Sequence, residues 1–198
     1  MATAEDRLRA EEAPAAESDA DLALRARAGD RPAFARIYER YAATVHGVLL
    51  AVAPRQEARD LVQEVFLLAL RAIPRLDDPA SVGPWLVRIA RNRAHDAHKS
   101  KRTVVELPED HAAAAEASDA SRGPRGTSLE EDEEAQRALE AVRSLPQAYR
   151  ETLILRLVEG LSGPEIAART GMTHGSVRVN LHRGMKLLRE RLSQAGGR

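Results

Sequence analysis

The chain contains no cysteine. That absence removes disulfides, thiolate zinc sites and thiol catalysis together. Aromatic residues make up only 3% of the 198 residues, which suits small helical bundles packed through alanine and leucine. No apolar run reaches the length of about 18 residues that a spanning helix needs, so no membrane insertion is expected. The first twenty residues, MATAEDRLRAEEAPAAESDA, lack a basic start followed by an apolar core. They do not read as a secretory signal, and the expected location is the cytoplasm. No glycine-rich elbow surrounds a serine and no phosphate loop occurs, so the chain is not expected to be an enzyme and no cofactor is implied.

Net charge is also missing, since 30 Lys and Arg balance 30 Asp and Glu. The balance conceals a segregation. Between Trp85 and Thr103, six cations (Arg88, Arg91, Arg93, Lys99, Lys101, Arg102) oppose Asp96 alone. Between Val105 and Glu134 the sign reverses, with Glu106, Glu109, Asp110, Glu116, Asp119 and the run Glu130 to Glu134 against Arg122 and Arg125. From Pro164 onward it is positive again. Basic blocks of this kind suit a polyanion, and an acidic block between them repels one. Charge alone leaves solvated helix faces as an equal reading.

Helical periodicity runs through residues 21–102 and again through 131–194, and no stretch alternates as a strand would. The expected fold is all-α: two small helical domains joined by a flexible acidic linker at 103–130, behind a disordered tail at 1–20. The linker sequence ELPEDHAAAAEASDASRGPRGTS has almost nothing large and apolar to bury.

In DLVQEVFLLALRAI, residues 60–73, the apolar face Leu61, Val62, Val65, Phe66, Ala69 and Ile73 is core. Asp60, Gln63, Glu64 and Arg71 fall opposite, with Leu67 among them. From spacing alone this face reads as plain surface more readily than as a docking surface. In PWLVRIARNRAHDAHKSKR, from Pro84, the expectation is a helix with Pro84 at its first position. Its buried side is Trp85, Leu86, Ile89, Ala90, Ala94 and Ala97; its exposed side is Arg88, Arg91, Asn92, His95, Lys99 and Arg102. Cations with an amide among them supply both phosphate and base-edge chemistry. His95 and His98 stand three apart, but the setting is cationic and no third ligand is evident, so no metal is expected.

The C-terminal segment reads as a helix-turn-helix. Ser162 and Glu165 form a capping box with Pro164 in the first turn, and Gly171 supplies a left-handed residue at the turn. Thr173 caps the next helix, whose buried positions are Val177, Leu181, Gly184, Leu188 and Leu192. Its exposed side carries Arg178, Val179, His182, Arg183 and Lys186. Arg178 and Arg183 are suited to guanine edges or phosphates and Val179 to a thymine methyl. The N–H groups at His174 to Ser176 suit a phosphate.

The ordered blocks AGDRPAFARIYERY, ARDLVQEVFLLALRAI and PWLVRIARNRAHDAHKSKR, followed after the linker by LPQAYRETLILRLVEGLSGPEIAARTGMTHGSVRVNLHRGMKLLRERL, resemble the sigma-70 family of RNA polymerase sigma factors. The match is to the extracytoplasmic-function (ECF) group, which retains regions 2 and 4. The resemblance implies a factor that binds core polymerase and directs promoter recognition, melting and initiation. It places Asp60, Gln63 and Glu64 on the clamp helices of the β′ subunit, replacing the plain-surface reading. It assigns the −10 element to Trp85, Arg88, Arg91, Asn92, His95 and Lys99, with a flipped base near Asn92. The −35 element falls to Thr173, His174, Ser176, Arg178, Val179, Asn180, His182, Arg183 and Lys186, and region 4 is also implied to grip the β flap. An anti-sigma protein is the further implied partner. The −10 loop RLDDPASVG lacks the phenylalanines common in the family, which predicts weaker base stacking. Val179 and Asn180 stand where Ser and Arg are common, so a relative's −35 sequence does not transfer. A dimeric helix-turn-helix regulator acting without polymerase and a helical protein adaptor are the competing readings.

Overall fold

The computed structural model describes residues 17–105 and 129–195, and of residues 98–105, 129–133 and 195 the backbone only. Residues 1–16 of the expected tail and 106–128 of the expected linker lie outside the described residues. Among the described residues there are eight α-helices and no strand.

Local chemistry fixes most of the helix boundaries. Ser18 caps α1 (Asp19–Arg27) by accepting from the Asp21 N–H at 3.1 Å, and Asp30 caps α2 (Arg31–Leu50) by accepting from Ala33 N–H at 3.1 Å. Both satisfy N–H groups that a helix start leaves unpaired. Between them Gly29 has φ 92°, a left-handed conformation that costs glycine little. Helix α3 (Arg55–Ala72) follows Pro54 and is succeeded by two short 3-10 turns, Ile73–Arg75 and Pro79–Ser81. Helix α4 then spans Val82–Val105.

The start of α4 differs from the sequence expectation. The helix begins at Val82, so Pro84 is its third residue. Proline fits there because the N–H groups of the first turn have no partner within the helix. Gly83, the second residue of the helix, marks a close approach. A Cβ there would lie 2.7 Å from the ring and hydroxyl oxygen of Tyr41, so glycine lets α4 approach α2.

Helices α1 to α4 enclose Leu22, Ile37, Val45, Leu49, Val65, Phe66, Ile73, Leu86 and Ala90, each under a tenth exposed. Tyr41 is buried among them, and its hydroxyl donates to Asp19. Burial pushes its phenol well above the ordinary range, with the Asp19 hydrogen bond adding to the shift.

The second region consists of α5 (Leu129–Arg143), α6 (Gln147–Leu157), α7 (Gly163–Thr170) and α8 (His174–Ala195). Ile166, Ala167 and Val177 form a small core with Leu155 and Leu161. Leu139, Val142, Leu145, Leu153, Ile154 and Leu188 instead belong to the same apolar cluster as the first region. The two regions are therefore packed against one another, a feature that periodicity within each segment does not reveal.

Candidate nucleic-acid interface

The helix-turn-helix is built as its residues dictate. Ser162 and Glu165 form a complete capping box: the Glu165 carboxylate accepts from Ser162 N–H at 2.8 Å and from its hydroxyl at 2.6 Å. Glu165 N–H returns a longer bond of 3.4 Å to the serine oxygen. Gly171 ends α7 at φ 74°, ψ 13°, and Thr173 accepts from Ser176 N–H at 3.1 Å, opening α8. Val177, Gly184 and Leu188 are buried and Leu181 is partly so. Leu192, expected in the core, is 44% exposed. It lies in the last turn of α8, beyond the buried stretch of that helix.

The Ser162 bonds hold the Glu165 carboxyl below its ordinary pKa, the hydroxyl contributing most and the backbone N–H next. A depressed folded pKa contributes stability that is present above the unfolded value and lost as pH falls through the folded one. Glutamine preserves the box without the charge. The Tm advantage of the natural chain over Glu165→Gln is therefore expected to be full above about pH 5 and to shrink toward pH 3. Thermal scans across that range check it; parallel Tm curves would contradict it.

On α8, Thr173, His174, Ser176, Arg178, Val179, His182, Arg183 and Lys186 are exposed together, and Asn180 is partly covered. Val179 stands 45% exposed among these cations, an apolar contact on an otherwise polar face. The start of α8 adds the free N–H groups of its first turn.

On α4, Arg88, Arg91, Asn92 and His95 are exposed and Trp85 is partly buried. The Lys99 side chain lies outside the described residues. A cleft of about 410 Å³ runs beside this face, lined by Arg75, Leu76, Asp77, Asp78, Ser81, Pro84, Trp85, Arg88 and Arg91. Asp78 shapes its rim by accepting from Ala80 N–H at 3.0 Å and from the Ser81 hydroxyl. Asn92 is outside this lining, so the cleft and the amide are separate features of one face. Trp85 is its aromatic wall, and stacking on aromatics is the chemistry that holds unpaired bases.

The polar face of α3 carries Asp60, Gln63 and Glu64 at the surface, fully or in part. Arg93 of α4 donates to Glu64 at 2.5 Å, which fixes that carboxylate against α4. Leu67 is 55% exposed, and Leu68 and Leu70 follow at 42% and 46%. Sequence spacing had singled out Leu67 alone. Exposed leucines beside polar groups are the composition of a protein-docking surface.

Several side chains that join the regions escaped the sequence reading. Arg143 of α5 donates at 3.0 Å to Leu50 O, the last residue of α2, and also to Ala53 O in the turn that follows. Arg169 of α7 donates to Arg40 O at 3.0 Å and Thr44 Oγ1 at 3.2 Å, with its guanidinium 5.9 Å from the Tyr41 ring centre. His46 Nδ1 lies 2.7 Å from Glu159 Oε1, and Arg91 makes a two-pronged pair with Glu151 at 3.0 and 2.6 Å. One local signal existed: Gly47, a glycine inside a helix, marks a close approach. A Cβ on it would stand 2.7 Å from Leu155 Cδ2.

No group of His, Cys, Asp or Glu suited to a metal occurs among the described residues, and no helix among them is long and apolar enough to cross a membrane.

The model of Sigma-70 region 2 matches residues 37–104, and that of Sigma-70 region 4 matches residues 135–188. The chain is 35% identical over 181 residues to the ECF RNA polymerase sigma factor BldN of Streptomyces coelicolor, covering 88% of this chain and 67% of that protein. It is 34% identical over 174 residues to the RNA polymerase sigma factor CarQ of Myxococcus xanthus, covering 86% and 95%. Among solved structures, the sigma factor RpoE in complex with the anti-sigma factor NepR from Bartonella quintana shares the fold at TM-score 0.53 and 21% identity, covering 81% of this chain and 96% of that one.

Proposed function

The chain belongs to the sigma-70 family of RNA polymerase sigma factors, in its ECF group, and from that premise we propose how its surfaces divide promoter recognition. It is a sigma factor that binds core RNA polymerase and directs initiation, which leaves the reading as a polymerase-independent dimeric regulator without support. In our assignment α4 takes the −10 element. Trp85 stacks on a base, Asn92 reads a base edge, and Arg88, Arg91, His95 and Lys99 hold the single-strand backbone. Helix α8 enters the major groove at the −35 element through Arg178, Val179, Asn180, His182, Arg183 and Lys186, while Thr173, His174 and Ser176 at its start hold phosphate. The observation that carries this assignment is the presence of two exposed cationic helix faces, one on each helical region.

The stripe Asp60, Gln63, Glu64 and Leu67 docks on the β′ clamp helices, and region 4 also engages the β flap. Two weak DNA contacts on one chain gain effective concentration once polymerase sets their spacing. The chain performs no catalysis of its own, works in the cytoplasm, and is held in check by an anti-sigma protein, as RpoE is paired with NepR in the structure of that complex.

The docking assignment is tested by co-elution with core polymerase on gel filtration. Leu67→Arg is expected to weaken binding about tenfold or more, the scale of a lost interface anchor, while the thermal unfolding of the free protein stays unchanged because the side chain is solvated. Undiminished binding would remove α3 from the polymerase interface.

A further inference from the structure

We infer that Asp77 is a specificity-determining residue: for the base held against Trp85 it selects one with an exocyclic amino group, cytosine or adenine in place of thymine. The inference rests on the assignment of Trp85 to a stacked base. Asp77 and Trp85 line the same cleft beside α4, together with Arg75 and Arg88. Its volume of about 410 Å³ falls in the range of about 300–1,000 Å³ in which small ligands are held. Asn92 is outside the lining, so the base in the cleft and the base edge given to Asn92 are different ones.

The loop fixes the place of Asp77 and leaves its carboxylate unused. On one side Leu76 is buried and its N–H donates to Ile73 O at 3.0 Å, which anchors the chain in the core. On the other side Asp78 is engaged by the 3-10 turn Pro79–Ser81. Its carboxylate accepts from Ala80 N–H and the Ser81 hydroxyl, and its carbonyl from Ser81 N–H at 3.0 Å. Asp77, between these two fixed neighbours, is exposed and has no hydrogen bond or ion pair among the described residues. Arg75 and Arg88 are likewise unpaired there, whereas Arg91 is held by Glu151.

An ionised carboxylate accepts hydrogen bonds and donates none. The N4 amine of cytosine or the N6 amine of adenine gives it the partner it lacks, whereas thymine turns its O4 carbonyl to the same place. Acceptor then faces acceptor. Selection therefore comes from the repulsive pairing as much as from the attractive one. A carboxylate also opposes the approach of a polyanion, and Arg75 and Arg88 in the same lining offset this by offering two cations to the strand's phosphates.

The test uses the full chain and short single strands of abasic sites with one central base: cytosine, uracil or none. Uracil in place of thymine removes the methyl group from the comparison. The chain has one tryptophan, so its emission reports on the cleft alone. At low salt the cytosine strand is expected to bind about five- to tenfold more tightly than the uracil strand, the lower end of what one base-edge contact discriminates. Both strands should quench Trp85 as the base stacks. Asp77→Asn, whose amide both donates and accepts, should bring the ratio to about one with quenching retained, and Asp77→Glu should keep a preference for cytosine. Quenching with equal affinities in the natural chain, or a preference that survives Asp77→Asn, would overturn the role of Asp77 and leave the stacked base standing. Trp85 left unquenched, with the baseless strand bound equally well or no strand bound at all, would remove the stacked base and the inference with it.

Discussion

Replacing Arg178 with alanine is expected to lower affinity for duplex DNA bearing the −35 element by about 1–3 kcal/mol, roughly 5- to 150-fold, the value of one good bidentate contact to a base edge. Arg178 is exposed in the second turn of α8, and the start of a recognition helix is where base edges come within reach. The fold should not suffer, because the side chain is solvated and alanine is the stronger helix former. Anisotropy titrations against the cognate duplex and a scrambled one distinguish the two chemistries open to an arginine. Loss confined to the cognate duplex indicates base reading. Equal loss on both, with the salt slope reduced by about one, indicates a phosphate contact. Unchanged affinity on both would remove Arg178 from the interface.

The largest effect on stability is expected from Leu153→Ala. Leu153 is fully buried in α6 and lies where α8 comes closest: a Cβ on Gly184 would stand 3.0 Å from its Cδ1. Truncation deletes the surface against which α8 rests. The cost is about 2–5 kcal/mol for a buried leucine, a fall in Tm of roughly 4–20 °C for a chain of this size. Differential scanning calorimetry checks it, and a shift of under about 1 °C would contradict the packing described. Because Leu153 belongs to the cluster shared with the first region, the loss should also loosen the packing between the two regions.

The helix-turn-helix was legible because its determinants are local. A capping serine with a glutamate three residues on, a glycine able to take φ 74° and a threonine before the next helix each act within a few residues. The core face of α3 was legible for the same reason, since Leu61, Val62, Val65, Phe66, Ala69 and Ile73 repeat at helical spacing and are all buried. Where the reading erred, helical spacing alone did not hold the answer. Periodicity assigned Leu192 to the core although the buried part of α8 ends before it. The helix α4 begins at Val82 rather than Pro84, and Gly83 in its first turn packs against the Tyr41 ring, a contact across some forty residues of sequence.

The seam between the regions was the least legible feature. Arg91 and Glu151, Arg143 and the carbonyls of Leu50 and Ala53, and Arg169 and Thr44 are each unremarkable as single residues. Their pairing depends on how two folded units meet, which no single helix encodes. The site residues were read through a mixture of both kinds of evidence. Exposure of the α8 cations follows from helix periodicity, whereas the assignment of Asp60, Gln63 and Glu64 to a docking role came from family resemblance. The exposed Leu67, Leu68 and Leu70 beside them supply a physical reason for that role.

The most direct test of the account is run-off transcription on genomic fragments with purified core polymerase, with and without this chain. The account predicts discrete new start sites that depend on the chain and are lost or strongly reduced with Asn92→Ala and with Arg178→Ala. Transcription by core that is unchanged by the chain, while the chain alone shifts the same fragments, would contradict it.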